Sequence, residues 1–228
     1  MLKLIIGNKN YSSWSMRPWI GLKGAGIPFD EEVISLYVDG SKELILKHSP
    51  AGKVPVLIDG DVHVWESLAI LEYAAEKFPA AGLWPADPKA RAHARAISAE
   101  MHAGFAALRG ECGMVLWRPP AKKVLSADAQ ANIERIQEMW TDCRQRFGAG
   151  GPFLFGKFSA ADAMFAPVVG RFQTYAIDVN PTVAAYMQAT IATPAWREWL
   201  HAALRETVVI PKFQEEWPNV PRIPADAA

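Results

Sequence analysis

Apolar residues at the start of this chain fall in short clusters, and beyond residue 90 they recur every third or fourth position. That change of period divides the sequence. Leu2, Leu4, Ile5 and Ile6 form a compact apolar run that predicts a strand over 3–6. A helix is expected over 13–23, with Gly24 and Gly26 behind it as stop signals. Further strands are expected over 32–36, 54–58 and 62–65, the last two joined through Asp59-Gly60-Asp61 as a hairpin. A short helix over 41–47 precedes that pair, and a helix over 67–77 follows it, with Leu68, Leu71 and Ala75 on one face. The order β-α-β-α-β-β-α predicts a small mixed sheet with helices on its faces, an α/β unit over 1–80.

Pro79, Gly82, Pro85 and Pro88 interrupt the pattern and mark a linker over 81–89. From 90 to 228 the reading is all-α. Ala90, Ala94, Ile97, Met101, Phe105 and Leu108 keep one helical face, and the alanines between them permit close helix approach. Ile133, Ile136, Trp140, Cys143 and Phe147 make a second stripe, on which Cys143 reads as a buried thiol. Further helices are expected from Ser159 and from Thr193-Pro194. The tail from Pro211, with Pro218, Pro221 and Pro224, reads as extended.

Composition narrows the class. The chain has 228 residues, 50% hydrophobic and 21% charged, enough for a packed core. Lys+Arg and Asp+Glu are both 24, which argues against a general nucleic-acid binder. Two cysteines cannot make a disulfide framework or a metal cluster by themselves, so no metal is expected. The apolar run at residues 1–6 is too short for a signal segment, and no run reaches the length of a membrane span. A cytoplasmic protein without a membrane partner is the expectation.

Three short segments of the first unit carry candidate chemistry. Ser12, Ser13 and Ser15 stand where the first strand turns into a helix, a place where unpaired backbone N–H groups and the helix dipole favour an anion. The same serines serve equally as helix caps. Val54-Pro55 opens a strand; a cis bond there turns the Val54 backbone out of the sheet, free to pair with an extended peptide ligand. Glu66-Ser67 precedes the last helix, where Ser67 reads as an N-cap able to hold a carboxylate. Arg171, between Gly170 and Phe172 in an apolar helix, requires an anionic partner, either a buried carboxylate or a ligand.

In order and strand context, these three segments resemble the glutathione transferase family, over nearly the whole chain. The resemblance implies a thioredoxin-like first domain and an all-helical second domain. It implies that the serine turn holds the glutathione sulfur, that Lys53, Val54 and Pro55 meet the glycyl and cysteinyl parts, and that Glu66 and Ser67 meet the γ-glutamyl end. Ser12-Ser13-Trp14-Ser15-Met16-Arg17 is most similar to the turn of the zeta class, which includes maleylacetoacetate isomerases. Ser12 matches the serine usually assigned there, and Ser13 the offset of other serine-type classes; Tyr11 is a rival donor. Ser159-Ala160-Ala161-Asp162 resembles the family's folding motif, with Asp in the capping-box position.

What the resemblance implies is a serine hydroxyl that keeps the co-substrate's thiol ionised. Two pKa units require ~2.7 kcal/mol, within reach of one charge-assisted hydrogen bond and a dipole contribution. The expected activity is conjugation of glutathione to a small electrophile, in a homodimer. The second substrate is expected between the domains, near Trp14, Phe105, Met114, Trp117, Arg171 and Tyr175. Two departures from the zeta pattern stand out. Trp14 occupies the place of a cysteine, and the position of a zeta-class arginine falls on Thr174. The alternatives are a maleylacetoacetate-type cis–trans isomerase and a non-catalytic binding protein with the same fold.

Overall fold

A computed structural model describes residues 1–214 and 221–226. The first unit is β1 (Leu2–Gly7), α1 (Ser13–Gly24), β2 (Phe29–Ile34), α2 (Ser41–Leu46), β3 (Val56–Asp59), β4 (Val62–Trp65) and α3 (Ser67–Lys77). The sheet order is β2-β1-β3-β4, with β1 parallel to β2 and antiparallel to β3, and β3 antiparallel to β4.

β1 is buried on both faces, and its two-residue period sorts its side chains. Leu2, Leu4 and Ile6 join Trp19, Ile20, Ile70 and Leu71 in the main core under α1 and α3. Ile5 points the other way, into a smaller cluster with Ile34, Ile45 and Val56 beneath α2. Both faces are therefore covered, which is why β1 reads as a continuous apolar run. α1 lies wedged between α3 and α7. A Cβ at Gly21 would come within 2.4 Å of Leu71 Cδ2 and 3.3 Å of Ala163 Cβ, so a larger residue would have to displace the Leu71 side chain.

The second unit contains α4 (Pro88–Ala103), α5 (Ala106–Glu111), α6 (Ala127–Phe147), α7 (Ala160–Thr174), α8 (Pro181–Ile191) and α9 (Pro194–Arg205). α7 is its axis, buried along almost its full length and packed against α1 and α4. Trp140 of α6 meets Phe165, Phe172 and Tyr186 at centroid distances of 5.6, 5.4 and 4.9 Å, an aromatic cluster that holds α6 and α8 to α7. Cys112 and Cys143 are both buried free thiols.

Several expectations shift. β2 begins three residues earlier than its pattern predicts, because its parallel register is set by β1, Leu2 opposite Phe29 through Gly7 opposite Ile34. β3 starts at Val56 rather than 54, since Pro55 has no N–H for the ladder. The apolar stripe from Ala90 to Leu108 is two helices rather than one. Gly104 is extended and Phe105 has φ +63°, so the chain breaks between α4 and α5 while both bury the same side. α8 was not foreseen, although Asn180-Pro181 is a cap followed by a first-turn proline. The tail is not wholly extended, for Pro211–Phe213 forms a 3₁₀ turn. Pro218 lies outside the described residues.

Candidate active site

The loop between β1 and α1 is tied down from four sides. Glu206, just past α9, accepts from the backbone N–H of Lys9 (2.5 Å) and Asn10 (3.1 Å). Asn10 Oδ1 accepts from Trp117 N–H at 3.0 Å, and Trp199 Nε1 donates to the Lys9 carbonyl at 3.0 Å. The Tyr11 hydroxyl accepts from Ile210 N–H at 3.3 Å, and the Tyr11 ring stacks on Phe213 with centroids 5.2 Å apart. Burial pushes the Tyr11 hydroxyl pKa up. The serine turn therefore leaves an anchored platform, and Tyr11 is part of the anchorage.

Ser12 is the N-cap of α1. Its Oγ accepts from Ser15 N–H at 3.4 Å and donates to Ser15 Oγ at 2.8 Å, while Ser15 Oγ accepts from Gly7 N–H at 3.0 Å. Ser13 has a different environment. Its Oγ accepts from Arg171 Nη2 at 3.1 Å, and among the described residues no acceptor takes its hydroxyl proton. Both serines are almost buried and both line a cleft of about 600 Å³.

Trp14, Met114, Arg109 and Arg171 share the wall of that cleft with Lys53 and Val54, and Tyr37, Val38 and Phe213 stand at its edge. A second cavity of about 330 Å³ adjoins it. Trp14, Lys53 and Val54 line both, and Pro55, Trp65 and Glu66 line the second alone. The Val54–Pro55 bond is cis. The structure thus brings Ser12, Ser13, Trp14, Lys53, Val54, Pro55, Glu66 and Arg171 around two adjoining hollows, the first between the units and the second lined by the first unit alone.

At the far end, the N-cap of α3 is Glu66, with φ +71°, and Ser67 is the first helical residue rather than the cap itself. Ser67 Oγ is buried, has no hydrogen-bond partner among the described residues, and lines neither cavity. A buried hydroxyl left unpaired costs free energy. His102 Nε2, at the end of α4, stands 3.5 Å from Glu66 Oε2. Burial, with Arg17 and Arg109 nearby, lowers the His102 pKa against the opposing pull of Glu66.

Other expectations do not meet the cleft. Trp117 is buried in a small cluster with Tyr11, Val115, Leu204 and Ile210, and Tyr175 donates from its hydroxyl to the Gly113 carbonyl at 3.1 Å. Neither lines the cleft; nor does Phe105, which is buried in the main core. Among the described residues no carboxylate pairs with Arg171: Nε donates to the Cys112 carbonyl at 2.8 Å, Nη1 to the Pro167 carbonyl at 3.4 Å, and Nη2 to Ser13. Burial, and Arg109 after it, lower the Arg171 pKa to about 10, so the group stays charged at neutral pH.

Two further cations escaped sequence reasoning. The guanidinium carbons of Arg17 and Arg109 lie 4.2 and 4.7 Å from the centre of the Trp14 ring. Arg17 is fully buried; its Nε donates to the Met164 carbonyl at 3.0 Å, and Nη1 and Nη2 have no partner among the described residues. Burial first, then Arg109 and Arg171, hold its pKa well below the ordinary range. Arg109 Nη2 donates to the Met101 and His102 carbonyls, while its Nε is buried with no partner among the described residues. The one available signal for Arg109 was a cation set beside Leu108 on the apolar stripe. Among the described residues, no cluster of three His, Cys, Asp or Glu could hold a metal ion, and no helix is long and apolar enough to cross a membrane.

Comparison with known proteins places the chain in a family. The family models for the glutathione S-transferase N-terminal and C-terminal domains match residues 11–77 and 126–202. Maleylacetoacetate isomerase from Rattus norvegicus is 30% identical over 197 residues, which cover 81% of this chain and 85% of that protein. Dichloromethane dehalogenase from Methylorubrum extorquens is 47% identical over 60 residues, only 25% of this chain and 21% of that enzyme. A glutathione transferase homologue from Burkholderia gl BGR1, solved with bound glutathione, superposes with a TM-score of 0.66 at 26% identity, covering 90% of this chain and 99% of that one.

Proposed function

Because the chain belongs to the glutathione transferase family, we propose that it binds glutathione in the two adjoining cavities and adds its thiolate to a small electrophile. The tripeptide runs from Ser67 and Glu66, at its γ-glutamyl end, past the Val54 backbone to Lys53, with its sulfur at Ser13. The lining that the two cavities share, Trp14, Lys53 and Val54, and the place of Glu66 on the second support this path; Ser67 lines neither cavity and follows Glu66 directly.

One observation carries the reading. Ser13 Oγ lies on the cleft wall with one lone pair committed to a cation and its proton uncommitted. A serine so placed can donate to a sulfur, and a donor to the charged form lowers a thiol pKa. Ser12, whose hydroxyl is occupied by Ser15, is the lesser candidate. No general base is required, because the thiol proton leaves to solvent and the serine keeps its own. The test is the pKa of bound glutathione, followed by the ultraviolet absorbance of its thiolate. Ser13→Ala is expected to raise it by about one unit, equivalent to ~1.4 kcal/mol; a rise in Ser12→Ala alone reassigns the donor, and no rise in either variant ends the serine reading.

A second reading has its own support. Thiolate addition followed by rotation and elimination is a cis–trans isomerisation, and the rat relative is named for that reaction on a diacid. Arg109 brings to the cleft wall a cation that no carboxylate among the described residues neutralises and whose Nη2 is held by the Met101 and His102 carbonyls, an arrangement suited to a substrate carboxylate. Conjugation of a neutral aryl halide and isomerisation of a maleyl diacid, measured on one preparation, decide between the two. Arg109→Gln is expected to raise KM for the diacid tenfold or more, consistent with ~1.5–3 kcal/mol for a hydrogen bond to a charged group, and to leave the aryl halide unaffected. Glutathione binding with turnover of neither substrate class favours the binding-protein alternative. The domain division at 1–80, 81–89 and 90–228, a homodimer and a cytoplasmic setting belong to the same proposal.

A further inference from the structure

Arg171 belongs to α7, in the second unit, yet one of its hydrogen bonds crosses into the first. Its guanidinium is buried, and its fork is divided among three oxygens. The Cys112 carbonyl takes Nε, the Pro167 carbonyl takes Nη1, and Ser13 Oγ takes Nη2. The first two are backbone atoms. They fix the plane of the guanidinium against α7 and the end of α5, and so fix where Nη2 points. No carboxylate among the described residues neutralises it, and its nearest charged neighbours, Arg109 and Arg17, are also cations. Removing a charge from water into such a place is costly unless something is gained from it.

The gain lies at Ser13. A hydroxyl has one proton and two lone pairs, and without a neighbour it rotates among several arrangements. Once a guanidinium N–H occupies one lone pair, the O–H bond is turned away from the cation. The serine can then act only as a donor on that side, and its oxygen is polarised so that the proton is a better one to share. Ser12 lacks this arrangement, being held by a neutral serine.

We propose that Arg171 is a positioning residue for thiol activation: by donating to Ser13 Oγ it sets the rotamer of the Ser13 hydroxyl, so that the proton faces the place a ligand sulfur occupies. Arg171 acts through Ser13 and from the opposite domain, so the donor is complete only when the helical unit is docked on the sheet unit. This rests on the Ser13 reading above, and its test separates the two.

The measurement is the pKa of the thiol of bound glutathione in the wild type, Arg171→Met, Arg171→Lys, Ser13→Ala and the Arg171→Met/Ser13→Ala double variant. Calorimetric glutathione affinity of each confirms a folded site. Arg171→Met is expected to raise the thiol pKa by about one unit, and the double variant to raise it no further than Ser13→Ala alone. Contacts that act as one unit are not additive. Arg171→Lys is expected to fall between, because an ammonium keeps the charge and loses the fork that also grips Cys112. An unchanged pKa in Arg171→Met beside a raised one in Ser13→Ala overturns the positioning role and leaves the Ser13 reading intact. Additive shifts overturn it too, since Arg171 then acts by its charge alone. An unchanged pKa in Ser13→Ala defeats the underlying reading instead. If the Met variant does not fold, Arg171→Lys carries the decision: a wild-type pKa there refutes the proposal.

Discussion

Asp162 Oδ2 accepts from both the N–H and the hydroxyl of Ser159, each at 2.8 Å, and thereby closes the first turn of α7 inside the core. Oδ1 accepts from Leu154 N–H at 3.0 Å, so the carboxylate also ties the preceding loop to the helix. α7 carries Arg171 near its other end. The cap thus fixes the helix on which the Ser13 contact depends, and a stability device at one end serves the chemistry at the other.

The Asp162 carboxyl is fully buried, and burial raises its pKa from 3.8 to about 6, against the pull of its hydrogen bonds. A carboxyl with a raised folded pKa binds its proton more tightly in the native state. Its contribution is full below about pH 4 and is lost as pH climbs through about 6, on the order of 3 kcal/mol across the window. Urea unfolding of the wild type and Asp162→Asn at pH 4 to 7 is expected to show the wild type losing stability relative to the variant as pH rises. A gap that widens in favour of the wild type over that range would contradict the assignment.

Ser67→Ala removes a buried hydroxyl that nothing among the described residues satisfies. In the free protein the change should therefore cost little. With glutathione it should weaken binding about tenfold, ~1.4 kcal/mol, with the thiol pKa of the bound form unaltered. Titration calorimetry measures the first and thiolate absorbance the second. Equal affinity in the two proteins places the γ-glutamyl end elsewhere.

Burial pushes the thiol of Cys112 up to about 11 and that of Cys143 up to about 12. At pH 8 thiolate is then less than about one per cent of either, so both should resist alkylation. Mass spectrometry after iodoacetamide treatment should show an unmodified native protein and two adducts once it is unfolded in urea. Rapid native labelling of either thiol would contradict its burial.

Much of the first unit was legible because its signals are local. The β1 run, the Asp59-Gly60-Asp61 turn and the stop at Gly24 each act within a few residues, and the elements formed where they pointed. The order of the serine turn, Val54-Pro55 and Glu66-Ser67 named the family, because strand and helix ends place each segment at the same edge of the sheet. The Ser159–Asp162 capping box was readable for the same reason, a bond between residues three apart.

What the linear chain left open depends on which long-range partner arrives. Nothing near Ser12 or Ser13 says that Arg171, 158 residues on, donates to one and leaves the other to Ser15. The apolar stripe of 90–108 cannot report its break at Phe105, since both helices bury the same side. Trp117 and Tyr175 look like pocket aromatics in sequence, and in the packed structure neither lines the cleft. Local periodicity and turn chemistry are written in neighbouring residues; the direction a hydroxyl faces, or which cation stands behind it, is settled only when distant helices pack.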